Sequence, residues 1–186
     1  MDPSLQLTEV QFFEWACQND QVRIERNADG EVLIMPPTGM DSGEINATLT
    51  MLLGIWARQN GTGRSFDSSS MFTLPNLATR SPDATWISNA RWNQLTSEER
   101  KVFSPIVPEF VVELRSRRDR VKTLQAKMEE YIDNGVQLGW LIDPLQRRVH
   151  IYRAGQQAQV FDNPETVSGD PVLPGFVLKL SEIWVT

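Results

Sequence analysis

Two stretches of the chain repeat apolar residues every three or four positions, and short apolar or alternating runs lie between and around them. From Ser42 to Arg58, Ile45, Leu49, Leu52, Leu53 and Trp56 fall on one face of a 3.6-residue period, which predicts a long amphipathic helix. Val121, Leu124, Met128, Tyr131 and Ile132 predict a second one over Arg120 to Asn134, stopped by Asn134-Gly135. A shorter helix is predicted for Thr8 to Gln18, with Thr8 as N-cap and Val10, Phe13 and Cys17 as its apolar face. Val22–Arg26 and Glu31–Met35 read as strands joined by Asn27-Ala-Asp29-Gly30, whose Asp-Gly marks a hairpin.

After the first long helix, glycine and serine punctuate the chain, and extended pieces are expected at Arg64–Asp67 and Met71–Leu74. Asp83–Ile87 is rich in β-formers, and Trp92–Arg100 suits a brief helix. Pro108–Arg115 has a continuous apolar centre, as a strand buried on both faces requires. Val136–Ile142, ended by Asp143-Pro144, pairs in this reading with Arg148–Arg153, and the remainder supplies one or two edge strands. The expected class is α+β, a mixed sheet flanked by helices. With 186 residues, no internal repeat and no long linker, one domain over 1–186 is expected.

Composition narrows the function classes. Eighteen bases against 24 acids give a net charge of −6, which argues against a protein coated in basic residues for non-specific nucleic-acid binding but leaves room for a local basic cleft. Cys17, the single cysteine, excludes an intrachain disulfide and a cysteine-based zinc site; it is expected to be a reduced, buried thiol, which points to the cytoplasm. The N-terminus lacks the cationic and apolar segments of a secretory signal, and no run of eighteen apolar residues suggests a membrane span. His150, the only histidine, lies in RRVHIYR, where a strand with one face to solvent accounts for it.

Polar residues set into sequence that should be buried are the candidates for chemistry. Glu113 closes FVVEL, and a carboxylate at the end of a doubly buried strand costs several kcal/mol unless it is paired or binds a cation. Asp83 follows Pro82 at the start of another strand, and the two acids share one cleft if those strands are neighbours. Paired hard oxygen donors suit Mg²⁺ or Mn²⁺. Lys127 and Tyr131 lie four apart, on one face of the second long helix. Arg115, Arg117, Arg118, Arg120 and Lys122 put five bases into eight positions just after Glu113, a local rim attractive to phosphate.

The order Pro82-Asp83, Val111-Val112-Glu113-Leu114-Arg115-Ser116, Lys127 with Tyr131, and Trp140-Leu-Ile-Asp-Pro144 resembles the PD-(D/E)XK nuclease superfamily. More narrowly it is similar to the Uma-type restriction endonuclease family. That resemblance runs through Asp29-Gly30, Met35-Pro36-Pro37-Thr38-Gly39, Ser42-Gly43-Glu44-Ile45-Asn46, Leu74-Pro75 and Leu173-Pro174-Gly175-Phe176. It implies an α/β/α restriction-endonuclease-like core and a Mg²⁺- or Mn²⁺-dependent endonuclease acting on DNA phosphodiesters. Asp83 and Glu113 match the acids that hold the ion, and Glu44, in the first core helix, matches an added acid. Arg115 stands where the superfamily has its lysine; it can grip phosphate but transfers protons poorly. Lys127 matches a lysine relocated to the helix, and Tyr131 is placed to orient it or to bind phosphate. A palindromic target would favour a homodimer. The alternative reading is a catalytically inactive nuclease-fold module for DNA binding or protein interaction.

Overall fold

The computed structural model describes residues 5–19 and 21–184. Helix α1 (Glu9–Gln18) is capped by Thr8 in a capping box with Gln11. A hairpin of β1 (Arg23–Arg26) and β2 (Val32–Met35) follows, then the long helix α2 (Met40–Asn60), which ends at Gly61 in the left-handed conformation, φ 72°. Strands β3 (Gly63–Asp67), β4 (Phe72–Thr73), β5 (Thr79–Arg80) and β6 (Ala84–Ser88) lead into the short α3 (Asn89–Trp92). Next come β7 (Phe110–Leu114), α4 (Val121–Asp133), β8 (Leu138–Asp143), β9 (Arg148–Arg153), β10 (Gln159–Asp162), β11 (Thr166–Ser168) and β12 (Val177–Lys179).

Six strands form the main sheet in the order β10-β9-β8-β7-β6-β3, and four form a smaller sheet in the order β2-β1-β5-β4. In the main sheet only β7 and β8 run parallel, because α4 supplies the crossover between them. Alternation along β7 sends side chains to two cores. Phe110 and Val112 join Trp86, Trp140 and Ile142 beneath Ile45, Leu49 and Leu53 of α2, and Leu173, Phe176 and Leu178 complete that layer. Val111 points the other way, with Leu141 and Tyr152, against Leu124, Met128 and Tyr131 of α4. Helices therefore cover both faces of the sheet, which is the expected layered α+β core.

Some sequence expectations fail on facing. Phe12 is the buried residue of α1, whereas Val10 and Cys17 are exposed, so the thiol is not a core group. The helix packs through Phe12 and Phe13 on Phe103, a ring contact that spacing within one helix cannot reveal. His150 is buried rather than solvent-facing, since the second sheet face is covered too, and burial lowers its pKa. The helix expected over Trp92–Arg100 ends at Trp92, and Ser97–Arg100 is a run of turns with Thr96 and Glu99 hydrogen-bonded to each other.

Gly63 starts β3 where the strand crosses the tryptophan of its neighbour. A Cβ there would overlap the carbonyl oxygen of Ile87 and lie 2.5 Å from the ring of Trp86. Backbone and a buried indole cannot yield as a flexible side chain would. Gly63→Ala is expected to cost about 1–3 kcal/mol, read as a drop of roughly 2–12 °C in melting temperature; an unchanged melt would show that β3 shifts freely.

Candidate active site

Antiparallel pairing of β6 with β7 places Ala84 opposite Val112 and Thr85 opposite Val111. One step further along the same register, Asp83 meets Glu113. Both acids lie on the α4 side of the sheet, because each is two residues from the Thr85–Val111 pair. Asp83 Oδ2 accepts a hydrogen bond from the Leu114 N–H at 2.8 Å, which fixes the carboxylate to the end of β7. Its Oδ1 has only a long contact, 3.5 Å, with the guanidinium of Arg23, and the Asp83 side chain keeps 16% exposure.

Glu113 is buried and uses one oxygen twice: Oε1 lies 2.8 Å from Lys127 Nζ and accepts the Tyr131 hydroxyl at 2.8 Å. Its Oε2 makes no hydrogen bond or ion pair among the described residues. The four-residue spacing of Lys127 and Tyr131 on α4 is what brings both to the same carboxylate. Lys127 also reaches Glu25 Oε1 at 2.8 Å, across from β1 of the smaller sheet. Glu25 in turn accepts from the Ser81 N–H at 3.0 Å and faces Arg80 through Oε2 at 3.3 Å. Arg80 is itself held by Glu130 at 2.7 Å and Asn27 at 2.9 Å.

Burial and charge act on these groups in different directions. Burial pushes the Glu113 carboxyl up to about 7; Lys127 opposes this, while the charges of Asp83 and Glu25 add to it. Asp83 is also raised by burial, against the Leu114 N–H and Arg23. For Glu25 burial acts upward too, but Lys127 and Arg80 outweigh it and the pKa falls. Burial alone would discharge Lys127; the carboxylates of Glu113 and Glu25 reverse that and keep it a fixed ammonium. Burial raises the Tyr131 hydroxyl well above its ordinary value, so it acts as a hydrogen-bond donor.

The donor set fits a hard divalent cation. Two adjacent carboxylates, both with pKa values raised and each with an oxygen only weakly engaged or free, are short of positive charge on their open side. Mg²⁺ is commonly held by one or two carboxylates and otherwise keeps its waters. Among the described residues no three acidic, histidine or cysteine side chains are grouped for metal binding. Glu44 thus does not join Asp83 and Glu113 in a ligating cluster. It is exposed, and because α2 begins at Met40, two residues earlier than the spacing suggested, Glu44 falls past the first turn, where Asp41 sits.

Arg115 is also placed otherwise than as a phosphate clamp. Its guanidinium donates to Asp143 Oδ2 at 2.7 Å, joining the ends of β7 and β8. The free bases are further on: Arg117, Arg118, Arg120 and Lys122 are exposed and form no ion pair among the described residues, while Asp119 turns inward to accept from the Ser116 N–H at 2.7 Å. This leaves an uncompensated basic lip on the loop that leaves β7 beside Glu113.

Glu25, Arg80 and Arg23 were not singled out from the sequence. RIER carries charges at three of its four positions, and nothing local says which of them turns inward. The nearest signal is the strand alternation, which puts Arg23 and Glu25 on one face.

The matching family model, Uma2, described as "Putative restriction endonuclease", spans residues 10–181. Among solved structures, a putative nuclease of the DUF820 family from Anabaena variabilis is 20% identical, with a TM-score of 0.74 over 87% of this chain and 89% of that one, and it shares the fold. The DrdV–DNA complex is 14% identical with a TM-score of 0.41 and covers 63% of this chain but 10% of that one. No curated protein matches. A model that accounts for nearly the whole chain, on a fold shared with a nuclease-like structure, shows that the chain belongs to the Uma2 restriction endonuclease family.

Proposed function

We propose that the protein is a divalent-metal-dependent endonuclease that hydrolyses DNA phosphodiester bonds at Asp83 and Glu113. The observation that carries this reading is the meeting of the two carboxylates at the β6–β7 junction, with a buried ammonium on one of them. Asp83 and Glu113 would hold Mg²⁺ or Mn²⁺. When bound, the ion neutralises phosphate charge and acidifies an attacking water. Lys127 cannot act as a proton acceptor while two carboxylates hold it charged. It offers instead a preorganised positive charge to the phosphoryl oxygens as negative charge builds there. Tyr131 holds Glu113 Oε1 in place by hydrogen bond, which leaves Oε2 to face the ion.

DNA would be drawn in by Arg117, Arg118, Arg120 and Lys122, beside the carboxylates. Contacts of this kind position the backbone without reading bases. The superfamily lysine missing at position 115 favours an inactive module; the ammonium of Lys127 on Glu113 supports the active reading, because it brings a positive charge from another element.

Supercoiled plasmid incubated with the protein and Mn²⁺ or Mg²⁺ is expected to give nicked or linear product, abolished by chelator. If four bases each neutralise a phosphate, raising salt from 50 to 200 mM lowers DNA affinity roughly a hundredfold. Saturable Mn²⁺ binding without any cleavage would identify an inactive module, and neither binding nor cleavage would end the assignment.

A further inference from the structure

Glu25 is a buried acid that the mechanism above uses only to keep Lys127 charged, with no part in holding the ion. It is 2% exposed and stands on the smaller sheet, yet its carboxylate ends at the catalytic lysine. We propose that Glu25 is a positioning residue that pins the Lys127 ammonium beside Glu113; the proposal rests on the nuclease reading of that site.

Lysine is a point charge on a flexible four-carbon stem, and one partner fixes a distance but not a place. Lys127 Nζ has two carboxylate partners, Glu25 Oε1 and Glu113 Oε1, each at 2.8 Å, and they come from different sheets. Glu25 is itself immobilised, by the Ser81 N–H at 3.0 Å and by Arg80 at 3.3 Å. Ser81 lies two residues before Asp83, so the same carboxylate that holds the ammonium also tethers the segment that delivers the first acid. Both Glu25 oxygens are engaged by cations or N–H groups, which leaves none turned toward an ion. That separates its role from those of Asp83 and Glu113.

The test is Glu25→Gln, which keeps the size but removes the negative charge from Oε1, the oxygen that Ser81 and Lys127 share, and sets an NH₂ against Arg80 or Lys127. The chain has four lysines, so ¹⁵N-lysine labelling gives few ammonium signals, and Lys127→Met identifies one of them. The wild-type Lys127 ammonium is expected to give a ¹H–¹⁵N cross-peak at neutral pH because ion pairing and burial slow its exchange with water. In E25Q that peak should be lost and kcat for plasmid nicking should fall about a hundredfold, while the Mn²⁺ dissociation constant stays close to wild type, as for a group that is no ligand. A retained cross-peak, or kcat within threefold of wild type, overturns the proposal; so does a parallel loss of Mn²⁺ binding, which would make Glu25 a ligand. If wild-type protein nicks no plasmid, the nuclease reading falls, and the ammonium signal alone decides whether Glu25 fixes Lys127. Should E25Q not fold, E25D, which keeps the charge but withdraws it by one methylene, takes the same measurements.

Discussion

On the proposed mechanism, Glu113→Gln is expected to reduce Mn²⁺-dependent nicking by about a thousandfold or more, because a bound ion would contribute several kcal/mol of charge stabilisation and each 1.4 kcal/mol is tenfold in rate. The substitution is close to isosteric, and the amide oxygen can still accept from Tyr131. Packing around the Glu113 position should therefore survive, and the far-ultraviolet circular dichroism should match wild type. What disappears is the negative charge on the free side of the carboxylate, where Oε2 has no other partner among the described residues. Asp83→Asn should behave similarly, since Asp83 meets Glu113 across the same strand pair. Isothermal titration with Mn²⁺ should show the loss of affinity directly. A Glu113→Gln protein that cuts at the wild-type rate would remove the two-carboxylate centre from consideration.

The second large effect is on stability, with metal chelated. Burial first, then the charges of Asp83 and Glu25, push the Glu113 carboxyl up to about 7, against the opposing pull of Lys127; in the unfolded chain it titrates near 4.5. Between those values the folded protein keeps a proton that the unfolded chain has released. The stability from neutral Glu113 is thus complete below about 4.5 and lost as the pH rises through about 7. At about 1.4 kcal/mol per pKa unit, the loss is roughly 3 kcal/mol. Asp83, raised for the same reason, acts in the same direction. Glu25 acts oppositely: its lowered pKa gives stability above 4.5 that disappears as the pH falls through the depressed value. His150, lowered by burial, also loses stability as the pH falls below 6.5 toward its depressed value. The measurement is therefore a difference. Denaturant melts of wild type and Glu113→Gln at pH 5 and pH 8 should show wild type losing about 3 kcal/mol relative to the variant on going to pH 8. A pH-independent difference would mean that Glu113 titrates normally. Added Mn²⁺ should restore wild type more at pH 8 than at pH 5, since it binds the deprotonated pair.

The elements that the sequence made legible are those whose signal is local. The apolar run of β7, the 3.6-residue period of α2 and α4, and the Asp-Gly turn each follow from a few adjacent residues, and the structure has all of them. The neighbouring of Asp83 and Glu113 was legible one step less directly, through the condition that their strands be adjacent. Burial direction was not legible where it depends on distant chain. Cys17 turns outward because α1 rests on Phe103, and His150 turns inward because α4 covers the second face of the sheet. Glu44 and Arg115 show the same limit: the helix starts at Met40, and Asp143 claims the guanidinium, neither of which is written in the residues nearby. Glu25 is the extreme case. Its partner Lys127 is 102 positions away, and a four-residue strand charged at three positions does not show which of them turns inward.

That separation bears on how the molecule reaches its native state. Closing a loop of a hundred residues forfeits chain entropy before any contact repays it, so the ion pair between the hairpin and α4 is expected to form late in folding. A chain that has assembled the six-stranded sheet but not yet docked the hairpin holds Lys127 with a single partner and has the Pro82-Asp83 segment untethered. On the nuclease reading, competence to cut would then arise only when the hairpin docks and gives Lys127 its second partner.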